Sequence, residues 1–153
     1  MAQRFIHVFS SLLVILAAIE GTKAVEYTAT NSALATPGGL VFRDKIGAAY
    51  ARQTMNSATQ FIWRIFRQQN SPADRKNLQR VILLVEDIDG VAFARGNGIH
   101  LSARYVGSFS GDLKRAVTGV LYHEMTHIWQ WNGNGQANRG LIEGIADYVR
   151  LKV

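Results

Sequence analysis

The chain of 153 residues contains no cysteine, so no disulfide bond can stabilise it. It also has no long apolar run after residue 24. Because a membrane-spanning helix needs about 20 apolar residues, we expect no transmembrane anchor in that part of the chain. The formal net charge is +6, but the basic residues are dispersed and occur only in short pairs such as Arg75-Lys76. Nucleic-acid-binding domains more often concentrate basic residues beside aromatic platforms, so no specific nucleic-acid partner is expected.

The first 24 residues have the three parts of a secretory signal peptide. Arg4 gives a positive start, an apolar stretch covers residues 8–19, and Thr22-Lys23-Ala24 offers small residues for the cleavage site. An uncleaved membrane anchor is the alternative, but the apolar stretch is too short to span a bilayer comfortably. We therefore predict a secreted, extracellular protein whose mature part, residues 25–153, forms one domain.

The most informative motif is His123-Glu124-Met125-Thr126-His127, which has the H-E-x-x-H pattern of zinc peptidases. An α-helix places residues i and i+4 on one face, so both imidazoles can converge on one metal ion. Glu124 lies beside that face without needing to bind the metal, so it can act as a general base toward water. The pattern also arises by chance on amphipathic helices. Here it falls in a predicted helix over residues 112–131, and a pair of carboxylates follows it.

Glu143 is the predicted third ligand, because a catalytic zinc site needs three protein ligands and an open fourth position. Between His127 and Glu143, the segment Asn132-Gly133-Asn134-Gly135 predicts a helix end and a chain reversal. A second helix that packs back on the first would then present Glu143 to the metal. Asp147 lies at i+4 on the same face, where it can orient either ligand histidine, His123 or His127. Spacing alone leaves the reverse assignment open, with Asp147 as the ligand and Glu143 as a bystander.

Two segments, YHEMTHIWQWNGNG at 122–135 and GLIEGIADYVRLK at 140–152, closely resemble the plant basic secretory protein family. The segments SPADRK at 71–76 and DIDGVA at 87–92 are similar to the same family, so the resemblance covers nearly the whole chain after residue 24. These are pathogenesis-related proteins akin to zinc peptidases. The resemblance implies a Zn²⁺ cofactor, a peptide or protein substrate, and a role in plant defence. Family members continue past the second helix, so it also implies that this chain is truncated at its C-terminus.

The remaining sequence predicts mixed α and β structure. Pro37-Gly38-Gly39 predicts a chain break, and Asp87-Ile88-Asp89-Gly90 predicts a turn rather than a calcium loop. The strand that begins with residues 99–102 is expected near the zinc helix, where an exposed edge could bind an extended substrate by strand addition. The predicted elements are strands at 26–30, 80–86, 91–94 and 99–106, and helices at 44–68 and 112–131.

The sequence therefore predicts an α+β, zincin-like metallopeptidase domain, with a small mixed or antiparallel sheet packed on helices. Glu124 is the expected catalytic base, and His123, His127 and Glu143 are the expected metal ligands. Tyr148 and Tyr122 are candidates for stabilising the oxyanion. The location implied is the apoplast or cell wall, where the positive charge favours weak binding to acidic polymers. The alternative function is a non-enzymatic, defence-related binding protein with a structural or vestigial zinc site.

Overall fold

The computed structural model describes residues 24–153, so the predicted signal peptide lies outside the described residues except for Ala24. No helix in the described part is long and apolar enough to cross a membrane. The strands are β1 (Glu26–Asn31), β2 (Arg80–Glu86), β3 (Ala92–Arg95) and β4 (Gly98–Ser102). The α-helices are α1 (Pro37–Val41), α2 (Gly47–Ile65), α3 (Ala103–Ser108), α4 (Leu113–Trp129) and α5 (Arg139–Arg150). Shorter helical segments are a π-helical turn at Phe42–Ile46 and 3₁₀ turns at Pro72–Asp74 and Gly133–Gly135.

The four strands form one small mixed sheet in the order β1-β2-β4-β3. β1, β2 and β4 run parallel, and β3 pairs with β4 in the antiparallel direction as an edge strand. β2 has the bounds that the sequence predicts. Alternate residues of this strand, Val81, Leu83 and Val85, are fully buried, because successive side chains of a strand point to opposite faces. The predicted class, α+β with a small mixed sheet packed on helices, is confirmed.

Helices α2 and α4 contact the sheet and each other, and together they enclose the core. α2 contacts β1, whereas α4 contacts β3 and β4. Trp129, at the end of α4, is buried, and its indole N–H donates to the Thr59 hydroxyl at 3.0 Å. α5 packs on α4. Helix α4, which carries the H-E-x-x-H motif, therefore lies between the sheet and helix α5. Residues of α4 and α5 can contribute to one site in this arrangement.

The chain break predicted at Pro37-Gly38-Gly39 is wrong, because these residues begin helix α1. The Thr36 hydroxyl caps the helix by accepting from the Gly39 N–H at 3.1 Å, and Pro37 occupies the first turn, where its missing N–H costs nothing. Gly38 packs directly on α3, since a Cβ at this position would lie 1.7 Å from the carbonyl oxygen of Ala103. Here glycine allows close packing of two helices and does not end one.

The hairpin of β3 and β4 is confirmed, but the strand predicted over 99–106 ends at Ser102. The Ser102 hydroxyl accepts from the Tyr105 N–H at 3.1 Å and so caps α3. β4 pairs with β2 on one side and β3 on the other, so it has no free edge. The free edge beside α4 belongs to β3. The expectation that the strand beginning at Ile99 would provide a free edge for substrate is therefore wrong.

Candidate active site

Helix α4 presents both motif histidines on one side. The Asp112 side chain caps the helix by accepting from the Arg115 N–H at 3.0 Å, and the helix ends after Trp129. The prediction of a helix over 112–131 is therefore right to within two residues at each end. The Nε2 atoms of His123 and His127 lie 3.1 Å apart, with their ring planes nearly perpendicular at 80°.

The turn after α4 brings the second helix back onto it. Asn132 accepts from the Gly135 N–H at 3.2 Å, and Asn138 caps α5 by accepting from the Leu141 N–H at 3.3 Å. The packing of α5 on α4 places Oε2 of Glu143 at 3.3 Å from Nε2 of His123 and 3.4 Å from Nε2 of His127. The reversal that the glycine-rich segment predicts is thus present, and it brings Glu143 to the two histidines.

These three donor atoms fit a tetrahedral zinc ion. Zinc ligands at about 2.0–2.1 Å in tetrahedral geometry are separated from one another by about 3.3–3.4 Å. The three separations among His123, His127 and Glu143 are 3.1, 3.3 and 3.4 Å. Two imidazoles and one carboxylate form an established zinc-binding set. Within residues 24–153, this group is therefore able to hold a metal ion.

Each histidine has a second partner on its other ring nitrogen. Oδ1 of Asp147 lies 3.0 Å from Nδ1 of His123, in the orienting position predicted for it. Nε2 of Gln130 lies 2.8 Å from Nδ1 of His127 and also donates to the Ile142 carbonyl at 3.2 Å. In this orientation Gln130 donates to Nδ1. A neutral His127 that binds a metal through Nε2 carries its proton on Nδ1, so the carboxamide must then turn its buried Oε1, unpaired in the described part of the chain, toward that nitrogen. Sequence reasoning missed Gln130, although its position three residues after His127 was a usable signal.

Glu124 is buried at the base of the cluster, with only 6% of its surface exposed. Its Oε2 atom has no hydrogen-bond partner among the described residues. Burial raises the pKa of the Glu124 carboxyl, His123 opposes that shift, and the nearby charge of Glu143 reinforces it. The cleft therefore contains a buried carboxyl group with one oxygen free of hydrogen bonds to the described residues, beside the three candidate ligands.

Burial has the opposite effect on His127. Desolvation, followed by the charge of His123, lowers the pKa of its imidazole, although Glu143 and Asp147 partly counteract the shift. A lower pKa favours the neutral ring near pH 7. Because only a neutral imidazole nitrogen can bind a metal, this environment favours the ligand form of His127.

The cluster lies in an open cleft of about 640 Å³. His123, Glu124, His127 and Glu143 all line it, and residues of β3, including Phe93, form part of its wall. The edge strand therefore borders the candidate metal site.

Neither tyrosine proposed for the oxyanion borders this cleft. Tyr148 lies in a separate apolar pocket with Ile65 and Leu141, and Tyr122 is buried with its ring 5.8 Å from that of Phe61. The oxyanion role of Tyr148 stays a prediction that these contacts do not support.

The sequence of this chain matches a known protein family. Residues 22–153 match the family model BSP, described as "Peptidase of plants and bacteria". The chain belongs to the basic secretory protein family. The match confirms the family that the two motif segments indicate, over nearly the same stretch of chain. No curated protein and no solved structure matches this basic secretory protein.

Proposed function

We propose that this chain is a zinc-dependent peptidase of the zincin type. The observation that carries the proposal is the convergence of Nε2 of His123, Nε2 of His127 and Oε2 of Glu143, with the buried Glu124 on the same cleft. A purely structural metal site has no need of a carboxylate beside its ligands. The description of the family as peptidases supports the same reaction class.

The arrangement of the elements supports the zincin part of the proposal. The motif helix α4 lies beside the antiparallel edge strand β3, and the third candidate ligand comes from the next helix, α5. An edge strand, the motif helix and the helix of the third candidate ligand therefore border one cleft. An extended substrate can lie along β3 because that strand pairs on one side only.

The residues of the cleft have separable roles in the proposed reaction. His123, His127 and Glu143 would hold the zinc ion, while Asp147 and Gln130 fix the two rings. When bound, zinc supplies Lewis acidity toward water and the substrate carbonyl. Glu124 accepts a proton from the attacking water and then delivers it to the nitrogen of the leaving amine.

Glu124→Gln tests the proposal, because an amide keeps the shape of the side chain but cannot accept the proton. The zinc-loaded variant should keep its metal and lose about 10²–10⁴-fold in peptide hydrolysis. Asp89→Asn is the matched control, since Asp89 is exposed and does not line the cleft. A parent chain that holds zinc but cleaves no peptide would contradict the proposal and favour the non-enzymatic binding protein.

We also propose that the protein is secreted to the apoplast or cell wall, on the strength of the signal-like sequence at residues 1–24. Protein collected from the medium of expressing plant cells should then begin at Val25. An N-terminal sequence that starts upstream of residue 8, or retention of the protein in the cells, would contradict this proposal.

A further inference from the structure

The cleft contains two charged side chains that the proposed chemistry does not use, Lys76 and Arg139. Both are cations, whereas Glu124 and Glu143 are the acidic residues on the cleft wall. Within residues 24–153, neither cation lies within 4.0 Å of a carboxylate, whereas Arg80 and Arg104 on the surface do have such partners. Both cations are therefore available to an acidic ligand in the cleft.

Lys76 is held in place at the end of the motif helix. Its ammonium donates to the carbonyl of Ile128 at 2.9 Å, and it lies 5.7 Å from the ring centre of Trp131. An ammonium has three N–H donors, so this contact leaves two for a ligand. Burial lowers the pKa of Lys76, which means that the charged form lacks part of its hydration. A carboxylate in the cleft would compensate for that loss.

Arg139 approaches from the other helix. It is the first residue of α5, and it precedes Glu143 by four residues, so both side chains share one face of the helix. Its guanidinium is exposed and can bind a carboxylate through two parallel hydrogen bonds. Lys76 contacts the C-terminal end of α4, and Arg139 begins α5. The loop between the two helices joins these ends. Both cations therefore line the cleft from positions next to the α4–α5 connection.

From this arrangement we infer that Lys76 and Arg139 form a subsite for a carboxylate of the peptide substrate. The inference rests on the proposed peptidase function and specifies its substrate class. One helical turn separates Arg139 from the candidate ligand Glu143, a rise of about 6 Å. An extended peptide advances about 3.3–3.6 Å per residue. The recognised carboxylate therefore lies within about two residues of the scissile bond, either on an Asp or Glu side chain or at the C-terminus of a short peptide.

The balance of charge in the cleft supports an anionic ligand. Lys76 and Arg139 offset two of the three carboxylates at the site, Glu124, Glu143 and Asp147, so a divalent metal ion would leave a net positive charge. A hydrogen bond to a charged partner typically contributes about 10–100-fold in binding or rate. We therefore expect the cleft to prefer an acidic peptide over its amide counterpart by at least about tenfold.

The test compares kcat/KM of the zinc-loaded full chain on matched fluorogenic peptides. One pair differs only as Glu against Gln within two residues of the cleavage site, and a second pair has a free or an amidated C-terminus. The pair that shows the preference identifies the source of the carboxylate. Lys76→Met and Arg139→Gln should each lower that preference, and the double variant should bring it close to one.

Two controls separate local recognition from net charge and from misfolding. Lys114→Met with Arg52→Gln removes the same two charges from exposed positions outside the cleft and should leave the preference unchanged. If Lys76→Met proves unstable because its contact with Ile128 is lost, the exposed Arg139→Gln decides alone. A preference that survives in Arg139→Gln and the double variant, or that is absent from the parent chain, would overturn the inference.

A binding measurement distinguishes failure of the subsite from failure of the peptidase proposal. Calorimetric titration of zinc-loaded Glu124→Gln with the same uncleaved peptides measures recognition without hydrolysis. Preferential binding of the acidic peptide, combined with no activity in the parent chain, would support the subsite and contradict the peptidase. Hydrolysis of both peptides at equal rates would support the peptidase and contradict the subsite.

Discussion

The two residues that orient the histidines should differ in their effect on zinc affinity. Asp147 contacts His123 and Gln130 contacts His127, at 3.0 and 2.8 Å respectively. Loss of such an orienting partner typically weakens metal binding by about 10–100-fold. The side chain of Asp147 is 59% exposed, so water can replace its carboxylate as an acceptor. Gln130 is only 5% exposed, so water cannot replace it easily.

We therefore predict that Asp147→Ala weakens zinc binding by about tenfold and Gln130→Leu by about 100-fold. These losses correspond to about 1.4 and 2.7 kcal/mol of binding free energy. Competition with a chromophoric chelator at fixed pH measures both. Exposed Gln136→Leu and Asp89→Ala control for the chemistry of each change. Thermal unfolding of the metal-free variants checks that the fold persists.

The reasoning would be refuted if a folded Gln130→Leu bound zinc as tightly as the parent chain. A larger loss of zinc affinity in Asp147→Ala than in Gln130→Leu would also contradict it. Solvent exposure would then not decide whether water can replace the lost side chain.

Two further predictions concern the third ligand and the half-buried phenol of Tyr27. Glu143→Ala should weaken zinc binding by more than either orienting variant does, because it removes a ligand atom; equal affinities in the same chelator assay would exclude Glu143 from the ligand set. Burial raises the pKa of Tyr27 above its ordinary 10.0, so its stabilising effect is complete below pH 10 and is lost as pH rises through the folded-state pKa. The urea midpoint should fall over that range, and less steeply in Tyr27→Phe; identical pH profiles would show that Tyr27 contributes nothing.

The candidate ligands could be predicted from sequence because helical periodicity is local. The spacing of His123 and His127 fixes their shared face, and the spacing of Glu143 and Asp147 fixes another. Only the packing of α5 on α4 determines which carboxylate reaches which atom. In the structure, Glu143 lies near both Nε2 atoms and Asp147 near Nδ1 of His123.

Long-range contacts explain what sequence reasoning missed. Lys76 is 52 residues from its partner Ile128, so no local pattern connects it with the cleft. Gly38 looks like a chain break until the backbone of Ala103 packs against it. Likewise, the residues of β4 look suitable for an edge strand, and only the pairing order of the sheet shows that β3 takes that place.

The central claim is that His123, His127 and Glu143 bind one zinc ion while Glu124 remains free to act as a base. The most direct measurement is a crystal structure of the zinc-loaded protein, with anomalous diffraction recorded at the zinc edge. We predict one peak at about 2.0–2.2 Å from Nε2 of both histidines and from a Glu143 oxygen, with no ligand atom from Glu124. A peak bound by Asp147 or Glu124 in place of Glu143, or no peak in zinc-saturated crystals, would contradict the account.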